Sequence, residues 1–215
     1  MNSIRVFQTA AWSLSIVTTM LSILAWGQDF NWQLSFNAYV IFPVLGLAAY
    51  GIMWSHYIAG TAREIFRLDK KVLAGYYRLT GFLVLVLICL HPGLLIYQRF
   101  RDGFGLPPQS YETYVGPGLG WVTLLGTASL LVFLAYEFHR KFGERTWWHF
   151  VTEAGDIAML AIFYHGLRLG LQLQDGRFRY VWWFYGVTLV AVLIRSYGIR
   201  YLLPALSKSK SPARK

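Results

Sequence analysis

Apolar residues recur along the chain in runs of about 20, each long enough as a helix to cross a hydrocarbon core about 30 Å thick. The runs fall near 7–27, 36–58, 78–98, 118–138, 152–172 and 179–202, with polar or charged breaks between them. This pattern predicts an all-α integral membrane protein, a bundle of six transmembrane helices. Residues 1–206 form one unit with no room for a soluble domain, and 207–215 read as a disordered basic tail. The first run follows Arg5 as a secretory signal would. Its exit, Leu24-Ala25-Trp26-Gly27, lacks the small-residue cleavage pattern, which favours a retained helix.

Composition agrees with the pattern. Hydrophobic residues make up 56% of the chain and charged residues 14%, against about 45–50% and about 25% in soluble domains. Arg63, Arg67, Lys70 and Lys71 fill the second break, Arg140, Lys141 and Arg145 the fourth, and Arg200, Lys208, Lys210, Arg214 and Lys215 close the chain. The opposite breaks hold only Arg99, Arg101, Arg177 and Arg179. By the positive-inside rule both termini lie in the cytoplasm, in a cell inner membrane. The net charge of +10 follows from this asymmetry and from attraction to anionic headgroups, so the expected partner is membrane lipid and not nucleic acid. Cys89, the only cysteine, has no internal disulfide partner.

Two histidines stand out because an ionisable ring in a spanning helix is costly and usually functional. His91 lies thirteen residues beyond Arg78, and His165 thirteen beyond Thr152, in segments that run the same way. At 1.5 Å per residue both rings sit about 20 Å from the cytoplasmic start of their helices. Two imidazoles level on neighbouring helices suit the two axial positions of one haem iron. Ala154, Ala158 and Ala161 share a helical face with His165, and Gly81 and Val84 share one with His91. Such small residues either make room for a planar cofactor or let helices pack closely. Pro92 removes a backbone donor beside His91 and is expected to kink the helix there.

The stretch Tyr77-Arg78-Leu79-Thr80-Gly81, continuing to His91-Pro92, resembles the third helix of the ferric-reductase-like transmembrane domain. Trp147-Trp148-His149, leading to Tyr164-His165-Gly166, is similar to its fifth helix. That family includes NADPH oxidases, metalloreductases and the haem subunit of the periplasmic methionine-sulfoxide reductase system. Its two-haem members carry a second histidine thirteen or fourteen residues before the outer one. Tyr77 or Arg78, and Val151 or Thr152, stand at those positions here. The resemblance therefore implies one haem b per chain, near the outer face, held by His91 and His165.

A single outer haem leaves roughly 20 Å to cross from the cytoplasm, by the same helix rise. The resemblance implies that a flavin or a quinone in the inner half bridges it. Arg63, Arg67, Arg78, Arg195, His56 and His149 are suited to its phosphate or carbonyl oxygens, although cytoplasmic cations also serve simply to orient helices. Arg168, one turn beyond His165, is the first candidate for a haem propionate, followed by Arg99 and Arg101. Glu153 and Asp156 complement the dipole at the start of their helix, or pair with Arg78 or Arg195. His56, His139 and the aromatic pairs, including Trp182-Trp183, read as interfacial.

These readings add up to a transmembrane electron carrier. Its electrons would pass from a cytoplasmic flavoprotein, bound flavin or the quinone pool to ferric iron or a periplasmic reductase. Two alternatives remain open at this level: a transporter or channel lined by His91, His165 and Arg168, and a cofactor-free assembly subunit whose histidines hold helices together.

Overall fold

The structure, a computed structural model, describes residues 3–33, 37–142, 149–174 and 176–202. Six long helices coincide with the six apolar runs: α1 (Ser3–Asp29), α2 (Ala38–Ile65), α3 (Ala74–Arg101), α5 (Gly120–Phe142), α6 (His149–Leu169) and α7 (Phe178–Tyr197). A short helix, α4 (Gln109–Val115), interrupts the link between α3 and α5, where the apolar pattern suggests only a loop. No strand occurs among the described residues. The tail 207–215, Trp147, Trp148, and the side chains of His139 and His149 lie outside the described residues.

Five of the six long helices are long and apolar enough to cross a membrane. The sixth, α6, has 21 residues but carries Glu153, Asp156 and Arg168, which dilute its apolar character. Local signals set the ends. Asn37 accepts the Tyr39 N–H at 2.9 Å to start α2, and Asp69 accepts the Lys71 N–H at 2.7 Å to start the turn leading into α3. Pro43 and Pro92 lie inside α2 and α3, and both helices continue through them.

The helices pair unequally. α2 packs along α1 and α3, and α5 packs along α6, while the α2–α3 and α5–α6 hairpins touch only sparsely. α7 closes the bundle against α2 and α6. Where it meets α2 an aromatic core forms, with Tyr50 and Trp182 rings 4.3 Å apart and Trp54 and Tyr185 rings 4.5 Å apart. Trp182 is therefore core, 2% exposed, and not part of an interfacial belt; its neighbour Trp183 is 47% exposed. Neighbours in sequence on a helix point about 100° apart, so a Trp-Trp pair need not share a role. On the other side Ser15, Ser55 and Tyr76 join α1, α2 and α3 through mutual hydrogen bonds of 2.6–2.8 Å. Such interhelical bonds average about 0.6 kcal/mol in a membrane.

Candidate cofactor site

The sparse seam between the two hairpins is hollow. It holds one cavity of about 470 Å³ and a second of about 460 Å³, both in the range of small-molecule sites. Met53, Ile88 and Phe133 line both, and so form the partition between them. The first takes the early part of α2 and α5 and the late part of α3 and α6, and the second takes the reverse. Thus α3 and α6 run parallel, and the cavities stack along the bundle.

His91 and His165 both line the first cavity. Each is held by the helix that precedes its own. His91 Nδ1 lies 2.7 Å from the Phe42 carbonyl on α2, and His165 Nδ1 lies 2.8 Å from the Val122 carbonyl on α5. A carbonyl only accepts, so Nδ1 carries the proton and donates. In the neutral ring this leaves the Nε2 lone pair free. That is the state a metal-ligating imidazole needs, with its second nitrogen anchored by a backbone oxygen.

A glycine one turn after each carbonyl makes room for the ring. A Cβ on Gly46 would sit 2.8 Å from Cε1 and Nδ1 of His91, and one on Gly126 would sit 2.8 Å from the same atoms of His165. The two hairpins therefore repeat one device: carbonyl, glycine four residues on, histidine on the next long helix. Sequence reasoning misses both glycines. The available signal is that each lies early in the span preceding a histidine span. The alanine row on α6 is not the space-maker, because Ala154, Ala158 and Ala161 line neither cavity. Its small side chains serve helix packing. Cys89 is exposed and also faces away from the histidine cavity.

The expected cations separate. Arg168 lines the histidine cavity, as does Gln174. Arg99 and Arg78, expected at a cofactor, line neither cavity. Arg99 is 6% exposed because its guanidinium lies 3.6 Å from the Phe104 ring centre and donates to Thr113. Arg78 is exposed at the surface of α3. Arg63, Arg67 and Arg101 also stand away from both cavities, and Arg63 pairs with Glu64 at 3.3 Å.

The second cavity is the more polar in function. Asp156 is expected from sequence to complement a helix dipole or to meet an arginine. It instead accepts from Tyr57 at 2.7 Å and from Tyr197 at 3.0 Å, tying α6 to α2 and α7. Arg195 and Arg200 line the same cavity. His56, expected at an interface, lines it too, with Nε2 2.7 Å from Thr80 Oγ1. Thr80 donates its own proton to the Tyr76 carbonyl, so His56 is the donor of that pair. Replacing Asp156 by Ala strands two phenols, each worth about 1–3 kcal/mol if left unpaired. Thermal unfolding in detergent is expected to show a clearly lower Tm for Asp156→Ala and a smaller drop for Asp156→Asn, which keeps one acceptor.

The donor set narrows the chemistry. No group of three or more His, Cys, Asp or Glu that could hold a bare ion occurs among the described residues. A closed zinc site takes four protein ligands, whereas two imidazoles suit a metal that brings most of its own donors. The cavity brings together mostly apolar walls, two imidazoles anchored at Nδ1 and the Arg168 side chain. No family model, curated protein or solved structure matches the chain.

Proposed function

We propose that this protein is a haem b electron carrier of a cytoplasmic-type membrane, with His91 and His165 as the two axial ligands. The observation that carries the reading is the repeated seat: two histidines from opposite hairpins line one cavity, each with Nδ1 anchored and Nε2 free. Held by both imidazoles, a haem would supply one-electron transfer and not oxygen binding.

All six long helices span the bilayer in this reading. α6 does so because its acids have partners: Asp156 two phenols within the bundle, and Glu153 the exposed Tyr201 hydroxyl near its cytoplasmic end. The Lys and Arg bias puts both termini in the cytoplasm, which sets the histidine cavity on the outer side. Arg168 in the lining of that cavity supplies a charge-assisted partner for a propionate. The second cavity then faces the cytoplasmic half and takes the electron-donating group, a flavin or a quinone, with Arg195 as a donor to its oxygens. Met53, Ile88 and Phe133 keep water out of the partition between the two sites. The donor is a separate cytoplasmic flavoprotein or the quinone pool, and the acceptor is ferric iron or a reductase outside. This combination is that of the ferric-reductase-like family, in a single-haem form.

The test is an absorption spectrum of the purified protein, oxidised and dithionite-reduced, with a pyridine-haemochrome count. Six-coordinate low-spin haem b at one per chain is expected. A colourless protein that stays colourless after haem is supplied would overturn the reading and leave a transporter or an assembly subunit. Two haems per chain would overturn the single-site version.

A further inference from the structure

The end of the histidine cavity nearest α4 is closed by the link between α3 and α5. Tyr111, Tyr114 and Val115 of α4 and Leu119 beyond it line the cavity. Ser110 and Tyr111 are 0% and 5% exposed on the underside of this segment, and Tyr111 packs on Phe42 and Leu95. Tyr114 stacks on Tyr39 with ring centres 5.8 Å apart and planes 9° from parallel.

Two glycine pairs bracket α4. Gly103 and Gly105 precede it with φ of +83° and +74°, and Gly116 and Gly118 follow it with φ of +85° and +82°. A Cβ at any of the four would meet nothing within 4 Å. The glycines are therefore not there for want of space. They serve the left-handed backbone, which other residues adopt only with strain.

Between the hinges the segment is held chiefly by one side chain of α3. The Arg99 guanidinium donates to Thr113, lies 3.6 Å from the Phe104 ring centre and 5.7 Å from that of Tyr114. All three partners belong to the covering segment. Asp102 adds a tether at the first hinge, accepting from Tyr39 at 2.7 Å and from Gln98 at 2.9 Å. The latch is imperfect. Arg99 makes no ion pair among the described residues, and its Nε is buried without a partner. A buried cation so poorly compensated raises the free energy of the closed state. Opening the segment returns it to water.

We propose that residues 102–119 are a hinged cover on the histidine cavity, latched by Arg99, which opens to admit the cavity's ligand. The proposal needs the cavity and not the identity of what fills it. The covered end is closed by a short segment and not by a long helix, so it can move without breaking the bundle.

The test uses the full-length protein in nanodiscs with Cys89→Ser and Ser110→Cys, a near-isosteric change on the underside of the cover. The rate of modification by a membrane-impermeant maleimide reads opening, whether or not haem is bound. Modification is expected to be slow in this background and at least tenfold faster with Arg99→Ala or with Gly116→Ala and Gly118→Ala combined. Arg101→Ala, a change at an exposed arginine two residues away, is expected to leave the rate unchanged. Hydrogen exchange of the amides of 109–115 in the unmutated protein is expected to be much faster than that of 122–134. Equal labelling rates in the Arg99→Ala and parent proteins would overturn the latch. Exchange at 109–115 as slow as in α5 would overturn the hinged cover itself.

Discussion

Protein carrying His91→Ala or His165→Ala is expected to lose the low-spin haem spectrum and to retain less than about a tenth of the pigment, since in the proposed site each removes one of two protein ligands to the iron. Each ring is seated on a separate hairpin, so losing one leaves the other anchored and the helices intact. Circular dichroism is expected to stay unchanged while the pigment disappears. The partner substitution His56→Ala serves as the contrast, because His56 lines the other cavity and bonds Thr80. It is expected to leave the spectrum in place. If His91→Ala and His165→Ala both keep full pigment with an unshifted spectrum, the iron is held elsewhere and the proposed ligand pair is wrong.

The second large effect is expected at Gly46 and Gly126, where an added methyl group displaces an imidazole. A Cβ at either position would lie 2.8 Å from ring atoms, closer than real contacts allow. The clash falls on the Nδ1 edge that holds the carbonyl bond, so it breaks that bond or turns the ring. Gly46→Ala and Gly126→Ala are expected to convert the spectrum from six-coordinate low-spin toward high-spin, or to bleach it, with Gly→Val more severe. The direction of the stability change separates this from misfolding. Alanine is about 1 kcal/mol better than glycine in a helix interior, so the apoprotein is expected to unfold no earlier than the parent. Loss of pigment together with a lower Tm of the apoprotein would point to general disruption. Full retention of the spectrum would remove the glycine seats from the argument.

Much of the fold is legible from hydrophobicity alone, because a membrane imposes a minimum apolar length and five of the six long helices meet it. α2 continues about two turns past its apolar run, to Ile65, and α3 begins about one turn before its own, after the turn that Asp69 starts. α4 escaped notice for the opposite reason. At 7 residues it is too short to show a period, and it is held by Arg99 and Tyr39, which lie outside it. Trp182 illustrates a different limit. Its composition and position suit an interface, and only its contact with Tyr50 places it in the core.

The site divides along the same line. His91 and His165 are visible in the chain because an imidazole is conspicuous among leucines and because equal spacing from the segment ends is a one-dimensional property. Their anchors are backbone carbonyls, which every residue has, so no residue type marks Phe42 or Val122. Arg99 and Arg168 look equivalent as cations near one membrane face, yet one is folded under Phe104 and the other lines the cavity. Asp156 likewise meets two phenols, 99 and 41 residues away along the chain.

Length, apolar period and the level of the two histidines were thus written into the linear order of residues, because helix rise converts sequence distance directly into depth. Which glycines receive the rings, which arginine lines the cavity and which covers it depend on the rotation of each helix about its axis and on its neighbours. Those are settled only when side chains of distant segments compete for the same space, and one-dimensional spacing holds no record of that competition.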